Sequence, residues 1–222
     1  MRVLITRPEE DAARIAKLLA ERGHTPVIAP LLRVRFLDGP QIALEGVQAI
    51  LATSANGVRA LARRTARRDV PLFAVGPQTA DEASAAGFTT VRNAQGDAAA
   101  LARATRGWAA PGAGALLHAK GAEGDGALAQ LLQQAGYAVR SVVLYDVAAT
   151  DAALDLDAID AALFFSPRSA RIFKQRAAGL STGTVTAVCI SQATAEALAP
   201  LVFRAVRVAA APNQAALLDC LG

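Results

Sequence analysis

The chain has 222 residues, 53% of them hydrophobic, with a net charge of +4, two cysteines and two histidines. That length allows one large domain or two small ones. The composition leaves little room for a disulfide framework, a Cys/His metal cluster or a histidine-based triad, and no apolar run nears the roughly 20 residues of a membrane span.

The elements follow a steady rhythm. Val3 to Thr6 reads as a buried strand. Pro8 then opens a helix with Glu9, Glu10 and Asp11 at its positive end, and Gly23 stops it. Ala12, Ile15, Leu18 and Leu19 form its inward stripe. This N-terminus has no apolar core or cleavage site of a secretory leader, so a cytoplasmic protein is expected. Pro26 to Pro30 is a short strand. Leu31 to Phe36 alternates, with Arg33 and Arg35 on one face, and reads as a partly exposed ribbon. A short helix is expected over Gln41 to Gly46. The strand Ala49 to Ala52 follows, then Thr53-Ser54-Ala55-Asn56-Gly57 and a helix to about Arg67. The run Arg63-Arg64-Thr65-Ala66-Arg67-Arg68 closes that helix. It has no interleaved aromatics, so it reads as a solvated helix end rather than a nucleic-acid surface.

Leu72 to Val75 is the next strand and Pro77 to Ala86 its helix. Thr89 to Val91 is a strand and Asp97 to Arg106 a helix. Gly107 to Gly114 is a loop, Ala115 to Ala119 a strand and Ala127 to Ala135 a helix. Between the last two lies Gly121-Ala122-Glu123-Gly124-Asp125-Gly126. It matches neither a Walker A loop nor a GxGxxG fingerprint and reads as a flexible loop near the ligand cleft. Val139 to Val147 is a longer extended segment. Strand Ala161 to Phe165, a helix capped by Ser166 and begun by Pro167, strand Thr184 to Ile190, a helix from Gln192 to about Leu201, strand Ala205 to Val208 and a final helix capped by Asn213 complete the chain. Strands alternating with helices predict an α/β fold with mostly parallel sheets.

The chain also repeats itself. Phe73-Ala74-Val75-Gly76-Pro77-Gln78-Thr79-Ala80-Asp81 has the layout of Val188-Cys189-Ile190-Ser191-Gln192-Ala193-Thr194-Ala195-Glu196. Leu18-Leu19, Gly23, Leu31 and Val34 match Leu131-Leu132, Gly136, Leu144 and Val147. Ser54 and Arg59 match Ser166 and Arg171, and Ala99-Ala100-Leu101 matches Ala215-Ala216-Leu217. One half, duplicated, gives two similar domains.

Four turns place small hydroxyl residues or glycine where a strand meets a helix: Thr53-Ser54, Gly76 to Thr79, Ser166 and Ser191 to Thr194. In parallel sheets such turns line the carboxyl edge, where ligands bind, and helix N-termini there favour anions. Each alone is an ordinary cap. Two matched pairs in duplicated domains point to a large, pseudo-symmetric anion. Tyr145, one of two tyrosines, lies in the long extended segment and can offer a phenol proton to a departing oxygen.

These residues resemble the uroporphyrinogen-III synthase family over almost the whole chain. The resemblance rests on Val3-Leu4-Ile5-Thr6-Arg7-Pro8, Thr53-Ser54-Ala55-Asn56-Gly57-Val58, Val75-Gly76 with Thr79-Ala80, Val143-Leu144-Tyr145, Phe164-Phe165-Ser166-Pro167, and Ile190 with Thr194-Ala195. It implies two flavodoxin-like parallel-sheet domains from an internal duplication, joined by a two-stranded ladder. One domain would span residues 1–34 and 149–222 and the other 37–142, with ladder strands 31–36 and 142–149. It implies a cofactor-independent lyase that closes linear hydroxymethylbilane with inversion of its last pyrrole ring, and uses no metal. Tyr145 would assist departure of the hydroxyl. Arg7, Thr53, Ser54, Asn56, Gly76, Thr79, Ser166, Arg168, Ser191 and Thr194 would hold the substrate's carboxylates.

Two positions depart from the family pattern: Ser191 stands where glycine is frequent, and Asp125 about where arginine is. A monomer with no nucleic-acid or membrane partner is expected, and a transient contact with the preceding pathway enzyme. The rival reading is a non-catalytic two-domain small-molecule sensor or binding protein. A second rival, a nucleotide- or sugar-phosphate enzyme, is opposed by the missing fingerprints.

Overall fold

The computed structural model describes residues 1–124, 126–151 and 153–222. The described chain divides into two compact units, one formed by Met1–Arg33 with Ala148–Gly222 and the other by Val34–Val147. The chain therefore passes from the outer unit into the middle one at Arg33/Val34 and returns at Val147/Ala148.

The outer unit holds β1 (Arg2–Ile5), α1 (Glu9–Glu21), β2 (Thr25–Ile28), β9 (Ala161–Phe164), α6 (Pro167–Arg176), β10 (Thr186–Cys189), α7 (Gln192–Glu196), β11 (Ala205–Val208) and α8 (Gln214–Asp219). Its sheet runs β11-β10-β9-β1-β2, and every pairing is parallel. The middle unit holds β4 (Val47–Ala52), α2 (Ala55–Arg64), β5 (Leu72–Ala74), α3 (Pro77–Ala85), β6 (Val91–Asn93), α4 (Ala98–Trp108), β7 (Ala115–Gly121), α5 (Ala127–Gln134) and most of β8 (Val139–Ala149). Its sheet runs β3-β8-β7-β4-β5-β6, where β3 is Leu32–Phe36. Within the middle unit the Leu37 N–H donates to the Leu144 carbonyl and Arg35 pairs with Asp146, so β3 runs antiparallel to β8.

Both sheets have the doubly wound order 2-1-3-4-5 when each half's first strand pair is counted first. In the outer unit that pair is β1 and β2, beside β9, β10 and β11. In the middle unit it is β7 and β8, beside β4, β5 and β6. Each half of the chain thus sends its first βαβ unit into the other half's sheet. The registers repeat as well. Val3 pairs with Pro26 and Ala161, and Leu116, 113 positions after Val3, pairs with Val139 and Ala49.

Helices cover both faces of each sheet, because strand side chains alternate and both faces are apolar. In the middle unit Val58, Leu61 and Ala83 of α2 and α3 pack on Ile50, Leu72 and Leu117. Leu101, Leu128 and Leu132 of α4 and α5 pack on Leu51, Phe73 and Leu116. In the outer unit Phe173 of α6 meets Phe164 edge-on at 4.9 Å, and Ile15, Leu19, Leu217 and Leu218 cover Val3, Ile5, Leu163 and Val188.

Three expectations fail. No helix forms over residues 41–46. The stretch is pinned from outside instead: the Ile42 N–H donates to the Arg64 carbonyl, and Arg140 donates to the Ala43 carbonyl. The basic run is not simply solvated. Arg64 donates to the Leu37 and Pro40 carbonyls, Arg68 donates to those of Ala62, Thr65, Arg67 and Ala86, and Arg63 lies 3.9 Å over the Phe36 ring. These arginines tie α2 to its neighbours. Helix α7 ends at Glu196, well short of Leu201, and turns lead to Pro200, which has no N–H to continue a helix.

Candidate functional site

The carboxyl ends of β4 and β7 meet where the middle sheet reverses its winding, the position at which ligands enter such sheets. A cleft of about 280 Å³ opens there, lined by Thr53, His118, Lys120, Gly121 to Gly124, Leu128 and Tyr145 among others. Its frame follows from local sequence. Ser54 takes an extended conformation at the start of α2, and its Oγ accepts the Gly57 N–H at 3.1 Å, satisfying one of the helix's free donors. Gly57 lets α2 come close to β7: a Cβ there would lie 2.8 Å from the Ala119 carbonyl oxygen.

Tyr145 reaches this corner from β8. Its hydroxyl and Ser54 Oγ are 2.7 Å apart, and either can donate. The ring packs against Gly121, where a Cβ would approach Tyr145 Cζ to 2.8 Å. A register shift between Lys120 and Gly121 sets that glycine opposite Tyr145, and the Ala122 N–H donates to the Tyr145 carbonyl at 2.9 Å. Lys120 donates to the Gly124 carbonyl at 2.6 Å and so braces the glycine-rich turn. The turn, expected as a flexible loop near the cleft, is thus part of its wall. The other tyrosine, Tyr137, is buried, and its hydroxyl donates to the Ala109 carbonyl at 2.9 Å.

His118 and Lys120 were not singled out from sequence. His118 lies on β7, opposite Leu51, and is only 4% exposed. Neither of its ring nitrogens has a hydrogen-bond partner among the described residues. Burial, with the charge of Lys120 a smaller cause, lowers its pKa to about 4, so the imidazole is neutral near pH 7. Leaving a buried polar group unpaired costs about 1–3 kcal/mol. The available signal was its scarcity and its place two residues before a lysine on one strand.

The remaining expected residues divide between the two units. In the middle unit Thr53 lines the cleft. Asn56 Oδ1 accepts from Arg59, whose other arm reaches Glu82 at 2.7 Å. Gly76 caps α3, and Thr79 is buried in the first turn that follows. In the outer unit β1, β9 and β10 are adjacent, so Arg7, Ser166, Arg168, Ser191 and Thr194 all follow neighbouring strand ends. Arg7 pairs with Asp11 at 2.7 Å and lies over the Phe165 ring. Arg168 is half-buried in the first turn of α6. Ser166 Oγ accepts the Ser169 N–H at 3.1 Å, as Ser54 does from Gly57. Ser191 Oγ lies 3.0 Å from Thr194 Oγ1, and Thr194 is fully buried.

Gly76 and Ser191 have nearly the same φ, −155° and −157°, which is extended backbone open to any residue. Glycine is therefore not demanded at Ser191. Asp125 lies outside the described residues. Cys189 is buried, and burial, with Cys220 a lesser cause, pushes its thiol up to about 12, so it remains a protonated core residue.

A family model described as uroporphyrinogen-III synthase HemD matches residues 13–219. The crystal structure of uroporphyrinogen-III synthetase from Helicobacter pylori is similar, with a TM-score of 0.68 and 17% identity over 100% of this chain and 98% of that one. A mutant uroporphyrinogen III synthase from Thermus thermophilus is similar with a TM-score of 0.55 and 19% identity, covering 100% of this chain and 97% of that one. At such identities these structures speak to the fold. No curated protein sequence matches the chain. Among the described residues no helix is long and apolar enough to cross a membrane. The family match spans nearly the whole sequence, and the chain belongs to the uroporphyrinogen-III synthase HemD family.

Proposed function

We propose that this chain converts hydroxymethylbilane to uroporphyrinogen III, the product in which the last pyrrole ring is inverted. The alternative is a non-catalytic sensor or binding protein that uses the same cleft. The observation that carries the enzyme reading is the 2.7 Å contact between Ser54 Oγ and the Tyr145 hydroxyl at the switch point of the middle sheet. Ser54 Oγ already accepts the Gly57 N–H, and its own proton can go to the phenol oxygen. The phenol proton then passes to the substrate's hydroxyl, which leaves as water, and the adjoining pyrrole gives up its N–H proton, which replaces the one the phenol lost, to leave a neutral azafulvene. The substituted carbon of the last ring attacks the azafulvene carbon. The resulting spiro intermediate fragments and recloses with that ring turned over.

Free in water, the bilane closes without inversion. The protein must therefore hold the substrate in the productive fold, which is catalysis by orientation. Helix N-termini at Ser54, Gly76, Ser166 and Ser191 suit its many carboxylates. Thr53, Asn56, Thr79, Thr194 and Arg168 stand in the same turns, Arg7 stands in the turn after β1, and all six are assigned to substrate binding. The reading also takes the protein to be a cytoplasmic monomer that works on the free polyanion without cofactor.

The test is to supply hydroxymethylbilane to the purified chain and separate the product isomers. Type III is expected. Type I alone, as in buffer, rules the activity out.

A further inference from the structure

His118 has no work in the steps above, and the fold does not require it. The duplication supplies the comparison. His118 pairs with Ser141 and Leu51; 113 positions earlier, Ile5 pairs with Ile28 and, in the equivalent neighbour, Leu163. Ile5 is completely buried in an apolar cluster under α1 and α8. An aliphatic side chain is therefore what the architecture accepts at this register. In the middle unit the same site carries an imidazole that is 96% buried, as 4% remains exposed. Both nitrogens lack partners among the described residues, and the side chain lines the cleft at the switch point.

We propose that His118 is a ligand-binding residue, whose ring N–H donates to a carboxylate entering the cleft beside Lys120. This rests on the reading that the cleft takes the tetrapyrrole polyanion. A carboxylate is favoured over a pyrrole N–H on two grounds. Lys120 is the cation of the cleft wall, and its positive charge weakens the imidazole as an acceptor while strengthening its N–H as a donor. Of the two acids in the wall among the described residues, Asp146 is already engaged by Arg35 at 2.5 Å, and Glu123 is exposed at the rim. The imidazole is neutral near pH 7, which avoids burying an unpaired cation when the cleft is empty.

The experiment is steady-state kinetics with hydroxymethylbilane on the wild type, His118→Leu and His118→Gln, each checked by thermal unfolding. His118→Leu restores an aliphatic side chain, as at Ile5, and is expected to melt no lower than the wild type. Its KM should rise about tenfold, the loss of one charge-assisted hydrogen bond, with kcat changed less than about twofold. His118→Gln keeps an amide donor and should recover most of the KM. An unchanged KM in folded His118→Leu, or equal impairment in both variants, overturns the assignment while the enzyme reading stands. If His118→Leu fails to fold, His118→Gln decides: near-normal KM supports the donor, and a tenfold increase refutes it. A wild type that forms no type III isomer overturns both readings at once.

Discussion

The two sheets are built from one repeat, yet their carboxyl edges differ. The registers match apart from shifts at Val47/Ala49 and Lys120/Gly121 in the middle sheet, and equivalent helices start at equivalent positions: Ser54 and Ser166, Gly76 and Ser191, Asp97 and Asn213. At the switch point of the outer unit the equivalent positions are filled by Ile5, Arg7 and Leu32. Ile5 and Leu32 are buried apolar residues, and Arg7 pairs with Asp11. The middle unit has His118, Lys120 and Tyr145 there, around an open cleft. The frame is thus the same in both copies, while the edges carry different side chains. On the proposed reading, the outer edge grips the substrate and the middle edge grips it and transfers a proton.

The largest expected effect breaks the middle edge alone. Tyr145→Phe removes the phenol proton and should lower kcat about 100-fold or more, the usual size of a general-acid contribution. Steady-state turnover of hydroxymethylbilane checks it; an unchanged kcat takes Tyr145 out of the chemistry. Next is acid stability. His118 is held neutral when folded, so the unfolded chain binds its proton more readily. Stability should fall as pH drops from about 6.5 toward 4, by on the order of 3 kcal/mol. Urea unfolding across that range should show this loss in the wild type and not in His118→Leu.

A packing contrast comes third. Gly57→Ala forces a Cβ against the Ala119 carbonyl and should cost about 1–3 kcal/mol. Its counterpart, Ser169, already carries a side chain, so Ser169→Ala should cost only the lost hydroxyl contact, about 1 kcal/mol. Equal costs in denaturant unfolding would mean that the helices α2 and α6 approach their sheets alike. The smallest effect is expected at the cap. Nothing lies within 4 Å of a Cβ at Gly76, so Gly76→Ser, which copies Ser191, should change stability by less than about 0.5 kcal/mol.

Local chemistry made much of this readable from residues alone. Pro8, Pro77 and Pro167, the serine caps, and Gly23 and Gly136 at positive φ mark element ends wherever one residue's own geometry decides. Where distant residues decide, the pattern misleads. The helical pattern over 41–46 loses to Arg64 and Arg140, which bind its backbone from elsewhere. The arginine run looks like surface charge until its acceptor carbonyls are seen. At the candidate site, the caps were legible one by one. The Ser54–Tyr145 contact joins residues 91 positions apart, and no spacing rule announces it. His118 was hidden for the same reason: its significance lies in the partners it lacks.

The isomer formed from hydroxymethylbilane by the wild-type chain and by Tyr145→Phe tests proton transfer at the middle edge most directly. We expect type III from the wild type at a rate above spontaneous closure. Tyr145→Phe should be slow enough for type I, formed in solution, to dominate. Type I alone from the wild type, or rapid type III formation by Tyr145→Phe, would contradict a proton-transferring edge in the middle unit.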